Sequence, residues 1–330
     1  MATATPPRRE IPASRAAREE MYRRRRLAAL AIGVVGFLLL VWAISSIGGG
    51  GASADKAKPP DLARGGRVVL PRYRIVAYYG APQHDELGAL GIGTPEDAAA
   101  KLLKQAAAYS APGRPVMPAF ELIVTLAQAD PGADGKYRLR QTPDVISRYL
   151  AAVRKIKGIL ILDIQPGQSN FVEEVRQLGP WLLEPDVELA LDPEWNLRAG
   201  QVPGREIGST DAATVNQVSY YLARIRRLEN LPQKVLIVHQ FTDAMVSERD
   251  RVLDRPGVAI VHNVDGFGTA DAKKSVYAQL AYSSGAGGAA RPPGGGRFNG
   301  FKLFYKEDTG LMTSAQALGL HPAPDVIVYE

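Results

Sequence analysis

Asp192 and Glu194 stand two residues apart on either side of Pro193, where the apolar run Val187–Leu191 ends. Two carboxyls so placed can divide acid–base labour. One, held protonated, delivers a proton to a leaving oxygen; the other, ionised, acts as nucleophile or base. A second apolar run, 158–164, carries Asp163 and is followed by Gln165. Comparable endings recur along the chain: Tyr79, Glu121, His239 with Gln240, Asn263 with Asp265, and Tyr305 ahead of Glu307 and Asp308. Glu194 is the first candidate for proton donor, with Asp163 or Asp192 as its ionised partner. Tyr79, Glu121, Gln165, Trp195, His239, Gln240, Asn263, Asp265 and Tyr305 are candidates for holding a substrate, and Tyr78 and Phe267 add aromatic surface that could stack on sugar faces. An Asp before Pro is also a common turn residue, so a structural role for Asp192 is equally open.

Other chemistries find less support. The chain has no cysteine, which excludes disulfides, a thiol nucleophile and thiolate metal sites. Its four histidines, His84, His239, His262 and His321, form no pair with ligand spacing such as H-x-x-x-H, so no histidine-based zinc site and no cofactor are expected. A carboxylate site for Ca²⁺ or Mg²⁺ stays open. No G-x-S-x-G elbow supports a seryl triad. The glycines of 88–93 come in the wrong order for a dinucleotide loop, and G-K-[ST] is absent.

These residues need strands to position them. Eight β-like runs are legible, at 73–80, 116–127, 158–165, 187–192, 234–241, 258–265, 301–305 and 325–330. Helix-like segments separate them, two opening on Thr-Pro (Thr94–Pro95 and Thr142–Pro143), a cap followed by a helix-compatible proline. A further helix is expected over 242–253. Eight strands alternating with helices over about 260 residues predict an α/β (β/α)8 TIM-type barrel over 67–330, with a doubly wound open sheet as competitor. In such a barrel the working groups gather at the C-terminal strand ends. Period-two alternation turns Val187, Leu189 and Leu191 toward the helices, and Ala190 and Asp192 toward the axis, with Glu194 following. The same reasoning turns Asp163, Gln165, Asn263 and Asp265 inward and His262 outward. The glycine-rich segment 283–300 reads as a mobile surface loop.

The N-terminal part makes a different prediction. Leu27–Ile47 is 21 residues without a charge, about 31 Å as a helix, enough to cross a hydrocarbon core of ~30 Å. Arg23–Arg26 precede it and no charge follows until Asp55. The positive-inside rule then predicts a basic cytoplasmic tail (1–26), a transmembrane signal anchor (27–47), a Gly/Pro-rich linker (48–66) and an extracytoplasmic barrel. Cleavage near Ala54, releasing the barrel, is the alternative. The formal charge of +6 belongs mostly to this tail, which has eight Arg against three Glu and leaves a net of +1 for the remainder. A nucleic-acid partner is therefore not expected.

The pair of runs GILILDIQPG and VELALDPEW resembles the third and fourth strands of extracellular TIM-barrel glycoside hydrolases of the lysozyme-like and chitinase-like groups. The chain as a whole resembles exported barrel proteins of actinobacteria. Those glycosidases carry Asp-x-Glu at a strand end. Here the form departs from theirs: Gln165 follows Asp163, and Asp-x-Glu comes one strand later as Asp192 and Glu194. The resemblance implies a membrane-tethered hydrolase acting on cell-wall glycan or other polysaccharide. Two further readings fit the same residues. One is a barrel that binds glycan or peptidoglycan without cleaving it, for which Gln165 argues. The other is a metal-dependent hydrolase at the same strand ends.

Overall fold

The computed structural model describes residues 61–282 and 294–330. The expected tail, membrane span and most of the linker lie outside the described residues. Among those described, no helix is long and apolar enough to cross a membrane.

Eight parallel strands close into a barrel: β1 (Arg74–Gly80), β2 (Val116–Ala127), β3 (Ile159–Ile164), β4 (Val187–Leu191), β5 (Lys234–Gln240), β6 (Val258–Val264), β7 (Gly296–Leu303) and β8 (Val326–Tyr329). Each strand pairs with the next in sequence, and β8 pairs with β1 to complete the ring. This is the architecture of a TIM-type α/β barrel, and it excludes the open sheet.

Alternation divides the core as expected. Leu160, Leu162, Ile164, Val187, Leu189 and Leu191 pack outward under the helices. Ile159, Ile161, Ala190, Val235, Ile237, Ala259 and Val261 fill the barrel interior. Leu62, Val69, Leu70 and Tyr73 join the interior group just ahead of β1. Packing thus begins inside the segment read as linker, at Leu62. There Gln233 ties the entry chain down: its Oε1 accepts from the backbone N–H of Val69 (2.8 Å) and Leu70 (2.7 Å).

The helices between strands are α1 (Pro95–Ala107), α2 (Pro143–Lys155), α3 (Phe171–Gln177), α4 (Gly179–Leu182), α5 (Ala212–Leu228), α6 (Ala270–Leu280) and α7 (Ser314–Leu318). Thr94 and Asp97 form a reciprocal capping box on α1. Thr142, in the same Thr-Pro arrangement, makes no side-chain cap on α2. One expected helix is missing. Over 242–253 the chain makes two single 3₁₀ turns, Asp243–Met245 and Arg249–Arg251, and a short strand Val246–Ser247 that pairs with Thr210–Asp211. Glu248 sits at φ 53° between them, in the left-handed region, which interrupts helical propagation. Met245, Val246 and Val252 still bury under this cover.

β7 also differs from expectation, beginning at Gly296 rather than 301. The end of the glycine-rich segment is therefore buried strand, with Phe298 plugging the interior. Gly300 is there for close approach. A Cβ on it would meet Asn263 Oδ1 at 2.3 Å and Asn263 Cα at 3.1 Å, its neighbours on β6. A three-residue strand, Arg138–Arg140, adds antiparallel to the end of β2. It is locked by Glu174 of α3, which accepts from Arg138 Nε (2.8 Å) and Arg140 Nε (2.7 Å).

Candidate active site

The C-terminal strand ends bring a dense set of charged side chains into the barrel. Tyr79 comes from β1, Glu121 from β2, Asp163 from β3, His239 from β5, Asn263 from β6 and Lys302 from β7. Each lies at most 3 % exposed. Asp192 follows β4, Asp265 follows β6 and Glu330 follows β8.

His239 is gripped at both ring nitrogens, with Nδ1 2.7 Å from Asp265 Oδ2 and Nε2 2.8 Å from Glu121 Oε1. Burial pulls its pKa down, but the charges of Asp265 and Glu121, with their hydrogen bonds, carry it well above the ordinary histidine range. This setting between two acids favours the charged ring. Burial likewise works to raise the Asp265 carboxyl, but the positive charges of Lys302 and His239 hold it below its usual value.

Tyr79 makes the second knot. Its hydroxyl lies 3.2 Å from Asp163 Oδ2 and 3.4 Å from Asp192 Oδ2, and it accepts from Gln165 Nε2 at 3.0 Å. A hydroxyl carries one proton, so it cannot donate fully to both acids. Burial, then the charge of Asp192, pushes Asp163 well above the carboxylate range. That shift favours the neutral form of Asp163, which can supply the missing proton. Gln165 also accepts from the backbone N–H of Ala127 (3.1 Å), so its amide fixes Tyr79 to the end of β2. The phenol itself stays protonated, its pKa raised by burial and by the surrounding acids. Lys302 Nζ lies 2.7 Å from Glu330 Oε2 and 3.9 Å from Asp265 Oδ2. Burial opposes its charge, but Asp265, Glu330 and Asp192 more than restore it.

Asp192 precedes a 3₁₀ turn, Pro193–Trp195, seated on the end of β4, and Glu194 lies within it. The backbone N–H of Asp192 donates to Ile164 O (3.0 Å), and that of Gly208 donates to Glu194 O (2.6 Å). Asp192 is 4 % exposed, whereas Glu194 is half-buried and feels the charges of the same cluster. Burial raises the Asp192 carboxyl to about 6, with His239 and Lys302 holding it back. Burial, with the charges of Asp192 and Asp265, raises Glu194 to about 8. At neutral pH the outer acid keeps its proton and the inner one has lost it.

No protein-family model matches this chain, and no curated protein matches it in sequence.

Not every residue read from the sequence joins the cluster. Gln240 alternates with His239 and so points into the covering layer, donating to Thr242 O (3.0 Å) and accepting from Arg249 Nη1 (3.2 Å). Tyr305 stacks on Tyr329 (centroids 5.3 Å) and meets Tyr78 edge-on, on the outer face of the sheet. Trp195 is half-buried on the turn beside Glu194. Phe267 is 68 % exposed and packs edge-on against Phe304. Asp308 accepts from the Phe304 and Gly268 backbones and pairs with Lys273 (3.0 Å), while Glu307 is exposed. Lys302 and Glu330 belong to the cluster but were not among the sequence candidates. The signal for Lys302 was its place between Phe301 and Leu303, where alternation forces a lone cation inward. Glu121, Asp163 and His239 each bring one donor atom within 4.8 Å of the others, which makes them the set that could hold a metal among the described residues.

Proposed function

We propose that the barrel mouth is an acid–base hydrolytic site of the glycoside-hydrolase type, tethered outside the cytoplasm by the apolar segment 27–47 and acting on polysaccharide of the cell envelope or its surroundings. What supports this reading is a pair of acids in unlike settings at one mouth: Asp192 is buried with Oδ2 3.4 Å from the Tyr79 hydroxyl, while Glu194 is only half-buried, and burial raises the first to about 6 and the second to about 8. Opposed ionisation of two carboxyls at one mouth is what glycosidic cleavage requires. Glu194, on the more exposed side, delivers its proton to the glycosidic oxygen. Asp192 is the ionised partner, as nucleophile or as base toward water. Tyr79 positions Asp192, and Lys302 with His239 keeps it charged. Asp163, held neutral beneath them, is a positioning residue in this scheme. Gln165 acts in the same way, through Tyr79.

The test is release of reducing ends from isolated cell-wall glycan and from soluble polysaccharides. Wild type should turn over one of them, and Glu194→Gln should lower kcat by about 10²–10⁴ with binding retained. Equal binding by both proteins without turnover by either would instead identify a glycan-binding barrel.

A further inference from the structure

We infer that Glu121, Asp163 and His239 form a binding site for a divalent transition-metal ion, Zn²⁺ or Mn²⁺, inside the barrel. The donor set is one imidazole nitrogen and two carboxylate oxygens, a mixture suited to these ions rather than to the all-oxygen preference of Ca²⁺ or Mg²⁺. The spacing fits. An ion with bonds of about 2.0–2.2 Å holds two donors roughly 3 Å apart at a right angle and about 4 Å apart near linearity. His239 Nε2 stands 2.8 Å from Glu121 Oε1 and 4.0 Å from Asp163 Oδ1.

Independent evidence comes from atoms without partners. Glu121 Oε2 and Asp163 Oδ1 are buried and accept no hydrogen bond, although both residues are 0 % exposed. A buried carboxylate oxygen left this way costs free energy that a cation would recover. A proton on His239 Nε2 satisfies Glu121 Oε1 but leaves both of these oxygens unpaired. An ion in its place would engage Asp163 Oδ1 and Glu121 together with the ring.

The surroundings are also those of a ligand set. His239 donates its other ring nitrogen to Asp265 Oδ2 at 2.7 Å, the arrangement that fixes the orientation of a metal-binding histidine. Asp163 meets the Tyr79 hydroxyl through Oδ2, leaving Oδ1 for the ion. Three protein donors leave a fourth position for water or another ligand. The site takes Asp163 and His239, which support Asp192 in the proposed reaction, but it contains neither Asp192 nor Glu194 and does not depend on that pair being catalytic.

The test uses the full-length chain in detergent, stripped with chelator and titrated calorimetrically with Zn²⁺, Mn²⁺, Mg²⁺ and Ca²⁺. The expected result is one Zn²⁺ or Mn²⁺ per chain, with Mg²⁺ and Ca²⁺ weaker by at least about 100-fold. Glu121→Gln and Asp163→Asn should each weaken binding by about 100-fold or more, and Asp265→Asn by about 10–100-fold. A readout that needs no variant is ¹⁵N NMR of the histidines in the wild-type chain. Zn²⁺ should shift His239 Nε2 and leave Nδ1 protonated. Absence of binding by wild type would overturn the proposal. So would binding whose shifts fall on His84 or His321 instead, whether or not the variants fold.

Discussion

Lys302 Nζ rests 3.6 Å from the centroid of the Tyr79 ring, so an ammonium and an aromatic face meet inside the barrel. The contact joins the two halves of the mouth. Tyr79 carries the hydrogen bonds to Asp163 and Asp192, and Lys302 carries the ion pair with Glu330. Among the described residues, six carboxyls, Glu121, Asp163, Asp192, Glu194, Asp265 and Glu330, gather around Lys302 and His239, with Lys273 acting on Asp265 as well. That imbalance is why some of the acids keep their protons.

The first prediction concerns pH. With Asp192 near 6 and Glu194 near 8, turnover should follow a bell. Activity falls below about pH 6 as Asp192 gains a proton, and above about pH 8 as Glu194 loses one. A kcat/KM profile from pH 4 to 10 checks it, and Glu194→Gln should abolish the alkaline limb along with most of the rate.

Lys302→Met removes a charge that holds Asp192 down. The acidic limb should then move upward by about one pH unit, with the alkaline limb moving the same way because Lys302 also restrains Glu194. A limb that stays in place would show that the ammonium does not govern the mouth. Profiles of the two proteins at equal ionic strength decide it.

Tyr79→Phe deletes a hydroxyl that accepts from Gln165 and serves both Asp163 and Asp192. The buried Gln165 amide then loses one partner, at a cost of about 1–3 kcal/mol. Urea denaturation should record that loss with an unchanged m-value. The acidic limb should also rise, because the ionised form of Asp192 loses a donor.

Glu174 tests stability away from the mouth. Burial would raise its pKa, but hydrogen bonds from Arg140 and Arg138 outweigh this and lower it. A depressed carboxylate pKa contributes stability above the unfolded value, about 4.3, and that stability is lost as pH falls through the folded pKa. Wild type should therefore weaken in acid below about pH 4. Glu174→Gln should lose about 1–3 kcal/mol at pH 7, since Arg138 and Arg140 lose the ionised acceptor they share and Arg138 keeps only Asp134, and should show a shallower acid dependence. Denaturation midpoints from pH 3 to 7 measure both.

Gly300→Ala tests how tightly β6 and β7 approach. Its Cβ would crowd the Asn263 side chain and backbone, so the strands must separate or the amide must leave its place 3.3 Å from His239 Nδ1. A loss of about 1–3 kcal/mol is expected, read by thermal denaturation.

Much of this architecture was legible in the sequence because alternation is a local property. A strand buried on both faces still assigns odd and even residues to opposite sides, so Leu160 and Leu162 could be separated from Asp163 without knowing the fold. The same rule placed His262 outside and Asn263 inside. It failed where local pattern and environment disagreed. The glycines around Phe298 disguised the start of β7, and the segment 242–253, expected as a helix, is interrupted at Glu248.

The sequence by itself determined that eight strands alternate with helices and that their ends are rich in acids. Only the tertiary structure decided which acids meet. Tyr79 and Asp163 are 84 residues apart, and His239 and Glu121 are 118 apart. Barrel closure and strand register bring them together, and neither is written in a local period. Ionisation follows the same logic. A carboxyl's pKa depends on its burial and on charges a few ångströms away, so Asp192 and Glu194, two residues apart in the chain, acquire different protonation states only once the barrel surrounds them.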